Sequence, residues 1–318
     1  MDTLTDKIKQ NAVFDKTVNV SFPEKNLLID ITNFCNHKCI FCYHEKMTRV
    51  QRNIDEKIVK KALKEAYCLG TREVGFYATG EPLLNNNLPH YIRMAKEMGY
   101  RYVYITTNGS LLNEEKQEAL IKAGIDSIKF SINAASSESY YRIHGRDDFD
   151  KVIGNLIALS DRRLKNKLNF RIFISFIVTN LTVGEKKCFY NKYKKYVDDI
   201  FFYNVRNQTG LMYDEVNKLL VDNPREHISE WLPCSTVFNA ITVTSEGYVS
   251  ACCADFQNYL IVGDLNTQSM EEIWYGQPFK NLRCAHLEKK IVGTLCFNCV
   301  YHTNSKVEPI LEEYATEI

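Results

Sequence analysis

The sequence lacks the features that mark membrane and secreted proteins. None of its apolar runs approaches the roughly 18 residues that a membrane-spanning helix requires. The first residues, MDTLTDKIKQNAVFDK, are charged and contain no apolar segment of the kind found in signal peptides. We therefore expect a cytoplasmic protein without a membrane partner.

The sequence also lacks an excess of charge of either sign. Its 40 Lys and Arg residues nearly balance its 39 Asp and Glu residues, which leaves a formal net charge of +1. Because nucleic acid binding relies on an electropositive surface, we expect no nucleic acid partner. No low-complexity segment is present, and 45% of the residues are hydrophobic, which predicts a large packed core.

Cysteine, by contrast, is abundant, with 11 residues. Thiols stay reduced in the cytoplasm, so clustered cysteines there more often bind metals or take part in catalysis than form disulfides. One cluster lies near residue 40 and another in the last third of the chain. Cys68 and Cys188 lie in helical patterns and are expected to be core residues.

Apolar segments typical of β-strands alternate with helical patterns over the first two thirds of the chain. The first strand is predicted at NLLIDI (26–31) and the sixth at DIFFYNV (199–205). Strands that alternate with helices form parallel sheets. The fold class is therefore α/β, and residues 26–210 are predicted to form a partial (β/α)6 TIM-like barrel after an N-terminal segment, 1–25.

The rest of the chain has a different pattern. A linker is predicted at 211–233, followed by a C-terminal domain at 234–318. In that domain AITVTSEGYVSACCADF predicts a β-hairpin that turns at Glu246 and Gly247, and SMEEIWYGQPFKNLRCAH (269–286) predicts one helix.

Polar residues collect at the ends of the predicted strands. TGEP (79–82), TTNG (106–109), SIN (131–133), VTN (178–180) and NVRNQ (204–208) each lie at or after a strand end, as does the first cysteine cluster. The C-terminal ends of the strands build the active site in βα barrels. The repeated pattern indicates an enzyme.

The first cluster, CNHKCIFC, places Cys35, Cys39 and Cys42 within reach of one metal centre. Soft thiolates bind zinc, copper(I) or iron–sulfur clusters. A structural zinc site would need a fourth ligand, which His37 or His44 could supply. A 4Fe–4S cluster with one open iron needs only the three cysteines, and an open coordination position suits catalysis.

The second cluster has enough cysteines to close a site. Cys296 and Cys299 are separated by two residues, and Cys234 with a hairpin cysteine, Cys252 or Cys253, completes a set of four. Four thiolates suit either structural zinc or a fully ligated iron–sulfur cluster.

The motif CNHKCIFC resembles the CxxxCxxC motif of radical S-adenosylmethionine (SAM) enzymes. ATGEP, TTNG and FSINA follow in the order that this superfamily shows, and the segments from WLPCSTVFNAITVTSEGYVSACCADF to CFNC are similar to its SPASM/twitch extension. The resemblance implies a 4Fe–4S cluster that binds SAM and cleaves it to a 5′-deoxyadenosyl radical. It also implies an electron donor of the flavodoxin or ferredoxin type. Because no cysteine follows Cys299, we expect a twitch-type extension with one auxiliary 4Fe–4S cluster that transfers electrons.

The resemblance also assigns roles to residues. Cys35, Cys39 and Cys42 match the ligands of the SAM-binding cluster; Cys234, Cys252, Cys296 and Cys299 are the expected auxiliary ligands, with Cys252 preferred to Cys253 for its position after the hairpin. The expected SAM-binding residues are Phe41, Gly80, Glu81, Pro82, Asn108, Ser131, Asn133, Arg146, Val178 and Asn180. The sequence departs from the superfamily pattern at Thr79, where the superfamily usually has glycine, and the added side chain could shift this loop.

Twitch-type relatives oxidise or epimerise alcohol carbons, so we expect a sugar, nucleotide sugar or aminocyclitol as substrate. The candidates for substrate, proton or hydrogen-atom handling are Cys253, Cys284, Arg206, Tyr203 and Asp255. An alternative is modification of a ribosomally made peptide, although the 34 residues before Cys35 are few for a peptide-recognition domain. A non-enzyme alternative is a zinc-stabilised binding protein.

Overall fold

The structure is a computed structural model that describes residues 15–222 and 232–318. Part of the expected N-terminal segment (1–14) and part of the expected linker (223–231) lie outside the described residues. Among the residues that are described, no helix combines the length and the apolar character that a membrane span needs.

Six parallel strands form most of one sheet, and each pairs with the next along the chain. They are β1 (Leu27–Ile29), β2 (Glu73–Gly75), β3 (Tyr102–Thr107), β4 (Ser127–Ser131), β5 (Arg171–Val178) and β6 (Asp199–Asn204). The helices between them are α1 (Glu56–Cys68), α2 (Leu88–Glu97), α3 (Glu114–Ala123), α4 (Ser137–His144), α5 (Phe149–Lys165) and α6 (Lys186–Tyr193). This order confirms the predicted α/β fold with a partial (β/α)6 barrel.

Local sequence signals explain where the helices begin and end. The side chains of Asp55 and Asn113 accept hydrogen bonds from the backbone N–H groups of Lys57 and Lys116, which caps α1 and α3. Helix α3 ends at Gly124, whose φ of 90° lies in the left-handed region that glycine adopts without strain.

The C-terminal part continues the same sheet. Its strands are β7 (Ile241–Val243), β8 (Tyr248–Ser250) and β9 (Ile261–Asp264), and its helices are α7 (Tyr213–Asn217), α8 (Ser235–Asn239), α9 (Met270–Trp274), α10 (Gln277–Leu287) and α11 (Leu295–Tyr301). β7 pairs in parallel with β1, and β8 pairs antiparallel with both β7 and β9. One apolar core includes residues of both parts, so the division into two domains stays a prediction.

Several elements differ from their predicted extent. The hairpin turns at Glu246 and Gly247 as predicted, with Gly247 at φ 89°. The helix predicted at 269–286 is two helices, because Gly276 is extended and Pro278, near the start of α10, has no N–H to continue the helix before it. Helix α4, which begins with a capping box between Ser136 and Ser139, was not predicted.

Candidate active site

The first three cysteines lie on the loop between β1 and α1. The backbone N–H groups of Lys38 and Ile40 donate to the carbonyls of His144 and Ile143, each over 3.0 Å, which fastens this loop to the end of α4. Cys39 and Cys42 are partly buried against a small apolar cluster beneath the loop. The loop is therefore held at the C-terminal ends of the strands, where the polar pattern placed the active site.

Burial makes these thiols poor acids in the absence of a metal. It raises the pKa of Cys35 to about 12 and that of Cys42 to about 11, and it raises the pKa of Cys39 well above its ordinary value. Neighbouring thiols raise the pKa of Cys35 and Cys39 further, so the groups are close enough to interact. A bound metal centre supplies the positive charge that converts such thiols into thiolate ligands.

The spacing of the ligand atoms suits a cluster better than a single zinc ion. Zinc–sulfur bonds of about 2.3 Å place the sulfurs of a tetrahedral site roughly 3.8 Å apart. Among the residues described, the only group of three or more His, Cys, Asp or Glu ligand atoms within 4.8 Å of one another is His37, Cys39 and His144. The sulfurs of Cys35, Cys39 and Cys42 are thus not all within 4.8 Å of one another, a wider spacing than three thiolates around one zinc ion require.

The TGEP segment is in direct contact with the backbone of the cysteine loop. A Cβ atom on Gly80 would lie 2.2 Å from the carbonyl oxygen of Thr32 and 2.6 Å from that of Phe34. The N–H of Glu81 donates to the Phe34 carbonyl over 2.8 Å. The loop after β2 therefore positions the cysteine loop, and it needs glycine here because of space.

The Glu81 carboxylate is buried and binds β3. It accepts hydrogen bonds from the hydroxyl of Thr107 (2.6 Å) and from the backbone N–H groups of Asn108 (2.8 Å) and Leu83 (3.1 Å). Burial raises the pKa of this carboxyl although the three donors oppose the rise. Its contact with the SAM amino group stays a prediction. In the structure, the carboxylate links the loop after β2 to the end of β3.

Thr79, the departure from the superfamily pattern, has its own partner. Its backbone N–H donates to Asp30 Oδ1 over 3.1 Å, and its hydroxyl donates to the other oxygen of the same carboxylate. Asp30 is buried, which raises its pKa to about 6 despite the nearby charge of Arg49. The hydroxyl thus ties the TGEP segment to the end of β1.

Four of the other expected SAM-binding residues lie in two places. Asn108 and Arg146 surround Asn36 in the cysteine loop: Asn108 Nδ2 donates to its side-chain oxygen over 2.9 Å, and Arg146 Nε donates to its carbonyl over 2.8 Å. Ser131 and Asn133 lie at the end of β4, where the Ser131 hydroxyl is 3.4 Å from that of Ser175.

Of the remaining four expected SAM-binding residues, three are buried and one is exposed. Phe41 is buried in the small apolar cluster, Val178 is buried at the end of β5, and Pro82 is buried at the start of a short 3-10 helix, Pro82–Leu84. Asn180 is exposed, and its amide donates to the carbonyl of Lys218 over 2.9 Å. The roles of these residues toward SAM stay predictions.

The second set of cysteines gathers around α11. Cys296 and Cys299 are three residues apart on this helix and so share one of its faces. Burial raises the pKa of Cys299 to about 11 and that of Cys296 well above its ordinary value, and the Cys234 thiol raises both further. Cys252 interacts with Cys299 in the same way, so the four expected ligands lie near one another.

Cys252 and Cys253 face different surroundings. Cys252 packs against the apolar core, and its sulfur accepts a hydrogen bond from the N–H of Ala254. Cys253 lines a cavity of about 320 Å³ together with residues of the barrel and of α8. Contact with Cys252 and the charge of Lys129 lower the pKa of Cys253 to about 7. Both thiols lie near enough to Cys299 to affect its pKa or be affected by it, so the choice of Cys252 as the metal ligand stays a prediction.

The other candidates for catalysis are spread over three places. Cys284 lies on α10, where its thiol contacts Glu288, and it does not line the cavity. Arg206 is near enough to Cys299 and Cys234 for their charges to oppose the lowering of its pKa by burial. Tyr203 lies near the end of β6 with about 38% of its surface exposed, and the partial burial of the residue raises the pKa of its hydroxyl.

Asp255 organises the loop that carries Cys252 and Cys253. Its buried carboxylate accepts hydrogen bonds from the N–H groups of Leu260 (2.7 Å), Tyr259 (3.0 Å) and Gln257 (3.3 Å), and from a serine hydroxyl of β8. Both oxygens of the Asp255 carboxylate are therefore hydrogen-bonded within this loop, and the expected part of Asp255 in substrate or proton handling stays a prediction.

Sequence reasoning missed two polar residues inside the barrel. His144 at the end of α4 contacts Cys39, but it is 105 residues away along the chain and no local pattern connects the two. Lys129 lies in the middle of β4, and its Nζ is 5.8 Å from the centre of the Tyr77 ring. A charged residue between Ile128 and Phe130, both fully buried, was the available signal, because alternation along a strand puts it on the inner face.

A buried ion pair between the two cysteine-bearing parts of the chain was also missed by sequence reasoning. The guanidinium of Arg49, which follows the first cysteine loop, donates two hydrogen bonds to Glu246 at the hairpin turn, over 2.8 and 2.5 Å. The Arg49 side chain is fully buried and that of Glu246 is 11% exposed. The pair fixes the hairpin against the loop that carries the first site.

Comparisons with known proteins agree with this geometry. The family model described as Radical SAM superfamily matches residues 29–184, and the SPASM model, described as an iron-sulfur cluster-binding domain, matches residues 234–300. The chain is similar to a probable GTP 3′,8-cyclase of Saccharolobus islandicus, with 35% identity over 46% of this chain and 48% of that protein. A probable GTP 3′,8-cyclase of Methanothermobacter thermautotrophicus is 30% identical over 44% of this chain and 45% of that protein. The chain thus spans about half the length of the curated relatives it matches.

Solved structures share the fold over most of the chain. SuiB of Streptococcus suis bound to its precursor peptide SuiA superposes with a TM-score of 0.67 and 17% identity, over 95% of this chain and 77% of SuiB. BtrN in complex with AdoMet and 2-DOIA superposes with a TM-score of 0.59 and 18% identity, over 91% of this chain and 98% of BtrN. At such low identity, these similarities show the fold.

Proposed function

Because the chain belongs to the radical SAM superfamily and carries a SPASM-type iron–sulfur domain, we propose that it oxidises or epimerises a carbon of a small polar substrate. Its cofactors are SAM, a SAM-binding 4Fe–4S cluster and auxiliary iron–sulfur binding in the SPASM-type domain. When bound, they supply a radical that removes a hydrogen atom from substrate and a centre that exchanges electrons. Cys35, Cys39 and Cys42 would hold the first cluster, and the set around Cys299 would hold the second.

The cavity beside Cys253 is the observation that carries the proposal. Its lining is Asn26, Leu28, Tyr77, Tyr104, Ser235, Thr236, Asn239, Ala240, Thr242 and Cys253. A volume of about 320 Å³ lies at the small end of the range for ligand pockets, about 300–1,000 Å³, and hydroxyl and amide groups dominate its polar lining. The hydroxyl and amide groups would bind hydroxyl groups of a sugar-like molecule, and the apolar surface that makes up most of the lining would pack against its ring.

Cys253 offers a hydrogen atom to that cavity. In epimerisation, its S–H bond breaks as a new C–H bond forms on the substrate radical. The thiyl radical left behind would return to the thiol by taking up one electron from the auxiliary iron–sulfur centre and one proton from solvent. In oxidation, the substrate radical instead loses an electron and a proton and becomes a carbonyl. Both reactions begin with the same abstraction of a hydrogen atom, but only epimerisation needs the Cys253 thiol.

Hydrogen isotopes test the proposal directly. The cluster-loaded enzyme is reduced and incubated with SAM and with deuterated sugars, nucleotide sugars or aminocyclitols, and deuterium in 5′-deoxyadenosine identifies the substrate. An oxidised product with one SAM consumed identifies a dehydrogenase. An inverted product that carries solvent hydrogen identifies an epimerase, and Cys253→Ala should then abolish epimerisation. Cys68→Ala serves as the control, because Cys68 at the end of α1 is exposed; the prediction that Cys68 and Cys188 are core residues was wrong for both.

A peptide substrate is the second candidate. The structure of SuiB that resembles this chain holds a precursor peptide, and a similar structure of anSMEcpe, with a TM-score of 0.60, holds AdoMet and a peptide named Kp18Cys. Deuterium transfer from labelled peptides, with none from the small molecules, would support this candidate and contradict the first.

A further inference from the structure

His144 occupies a buried position between the cysteine loop and the end of β4. Its ring stacks on Tyr140, with 4.1 Å between ring centres and 17° between planes. Its Nδ1 lies 3.4 Å from Cys39 Sγ and 3.4 Å from His37 Nδ1. Its Nε2 lies 3.4 Å from the backbone nitrogen of Asn133 and 3.3 Å from the amide nitrogen of the same residue.

These contacts determine which nitrogen of His144 carries the proton. The backbone N–H of Asn133 can only donate, so Nε2 of His144 must accept. The Asn133 side chain is oriented consistently, because its Oδ1 accepts from the N–H of Ile177 over 2.7 Å and its Nδ2 faces His144. A neutral imidazole that accepts at Nε2 carries its hydrogen at Nδ1. That hydrogen is directed toward Cys39.

The second histidine supports the same assignment. His37 Nε2 lies 3.2 Å from Asp148 Oδ2, and since a carboxylate accepts, His37 holds its hydrogen there. Its Nδ1 therefore carries a lone pair toward His144. Among the residues that the structure describes, both hydrogen-bond partners of His144 Nδ1 are acceptors: the sulfur of Cys39 and this lone pair of His37.

We infer that His144 donates a hydrogen bond to the Cys39 thiolate and thereby stabilises the reduced state of the SAM-binding cluster. The inference rests on the proposed role of Cys39 as a cluster ligand. Reduction adds negative charge that the ligand sulfurs share, and a hydrogen bond to sulfur favours the more negative state. The buried surroundings strengthen the effect because water does not compete. Asn133 and His37 are positioning residues that fix the tautomer of His144.

The midpoint potential of the cluster tests this inference without substrate. His144→Phe keeps a ring against Tyr140 and removes the donor. In the cluster-loaded protein, the ratio of reduced to oxidised cluster at a fixed potential should fall about tenfold, which is 59 mV for one electron. His144→Gln, whose amide can donate, should restore part of the loss, and His90→Phe, on the exposed surface, should cause none. Iron content and SAM binding are measured on each variant.

A spectroscopic measurement covers the case in which His144→Phe does not fold. In the wild-type protein with 15N-labelled histidine, the reduced cluster should show a weak 15N coupling and an exchangeable proton coupling that disappears in D2O. An unshifted potential in a cluster-containing His144→Phe, or no histidine coupling in the wild type, would overturn the inference. If His144→Phe loses activity but keeps the wild-type potential, His144 acts in the proposed reaction and does not influence the potential of the cluster. Failure of the wild type to assemble any cluster would remove both.

Discussion

Replacing Gly80 with alanine tests the contact between the loops that follow β1 and β2. The added Cβ would lie 2.2 Å from the Thr32 carbonyl oxygen, 2.6 Å from the Phe34 carbonyl oxygen and 2.9 Å from the Asn33 Cα. All three atoms belong to the backbone, so no side-chain rotation can relieve the overlap. The loops must instead separate by about 1 Å or more to reach ordinary van der Waals distances.

Two terms give the size of the effect. Inserting a methyl group into a packed site costs about 1–3 kcal/mol. Separation of the loops also weakens the 2.8 Å hydrogen bond from Glu81 N–H to the Phe34 carbonyl, which contributes about 1 kcal/mol. We therefore expect Gly80→Ala to lower the free energy of unfolding by about 2–4 kcal/mol.

Gly154 provides a matched control with the opposite sign. It lies within α5, and a Cβ there would meet nothing within 4 Å. Gly154→Ala should raise the free energy of unfolding by about 0.5–1 kcal/mol, because alanine loses less backbone entropy in a helix.

Urea titrations followed by circular dichroism under anaerobic conditions measure both variants, and equilibrium dialysis measures their affinity for SAM. Gly80→Ala should bind SAM more weakly, whereas Gly154→Ala should bind it as the wild type does. Equal stability of Gly80→Ala and wild type, with unchanged SAM affinity, would refute the close contact of the two loops.

Three further predictions concern buried groups. Glu246→Gln should lower the free energy of unfolding by about 3 kcal/mol in urea titrations at pH 7, since it removes the carboxylate that forms the ion pair with the fully buried Arg49 guanidinium. Burial raises the pKa of Glu246, but Arg49 outweighs this and holds it below its ordinary value; the pair's stabilisation should therefore be lost as the pH falls below about 4.5. Asp30 behaves oppositely, because burial raises its pKa to about 6. The protonated carboxyl is therefore favoured in the folded protein, and its contribution to the free energy of unfolding is complete at low pH and is lost as the pH rises through about 6. Relative to Asp30→Asn, wild-type stability should fall by about 1–2 kcal/mol between pH 5 and 7.5. Iron analysis should find about eight irons per chain in wild type and Cys253→Ser but about four in Cys252→Ser, and the reverse pattern would exchange the two cysteines.

Much of the architecture was readable from the chain because local patterns dictate it. The alternation of apolar strands and amphipathic helices predicts a parallel sheet wherever each segment must bury one face. The cysteine spacing, the TGEP segment and the turn at Gly247 are likewise local, and the structure has the hairpin and the strand-end loops where the patterns put them. Features that depend on residues close together in the chain can therefore be predicted from the sequence.

Contacts between distant segments were decided by the tertiary structure alone. Nothing near Cys39 indicates that His144 will contact it, and nothing near Arg49 indicates Glu246, because each pair meets only after the sheet has formed. The same holds for Asp255: its position in the sequence suggested substrate or proton handling, but only the tertiary structure shows which backbone N–H groups its carboxylate binds. A sequence determines which groups are available, whereas burial and the direction of each hydrogen bond, which set what a group can do, arise when remote segments pack together.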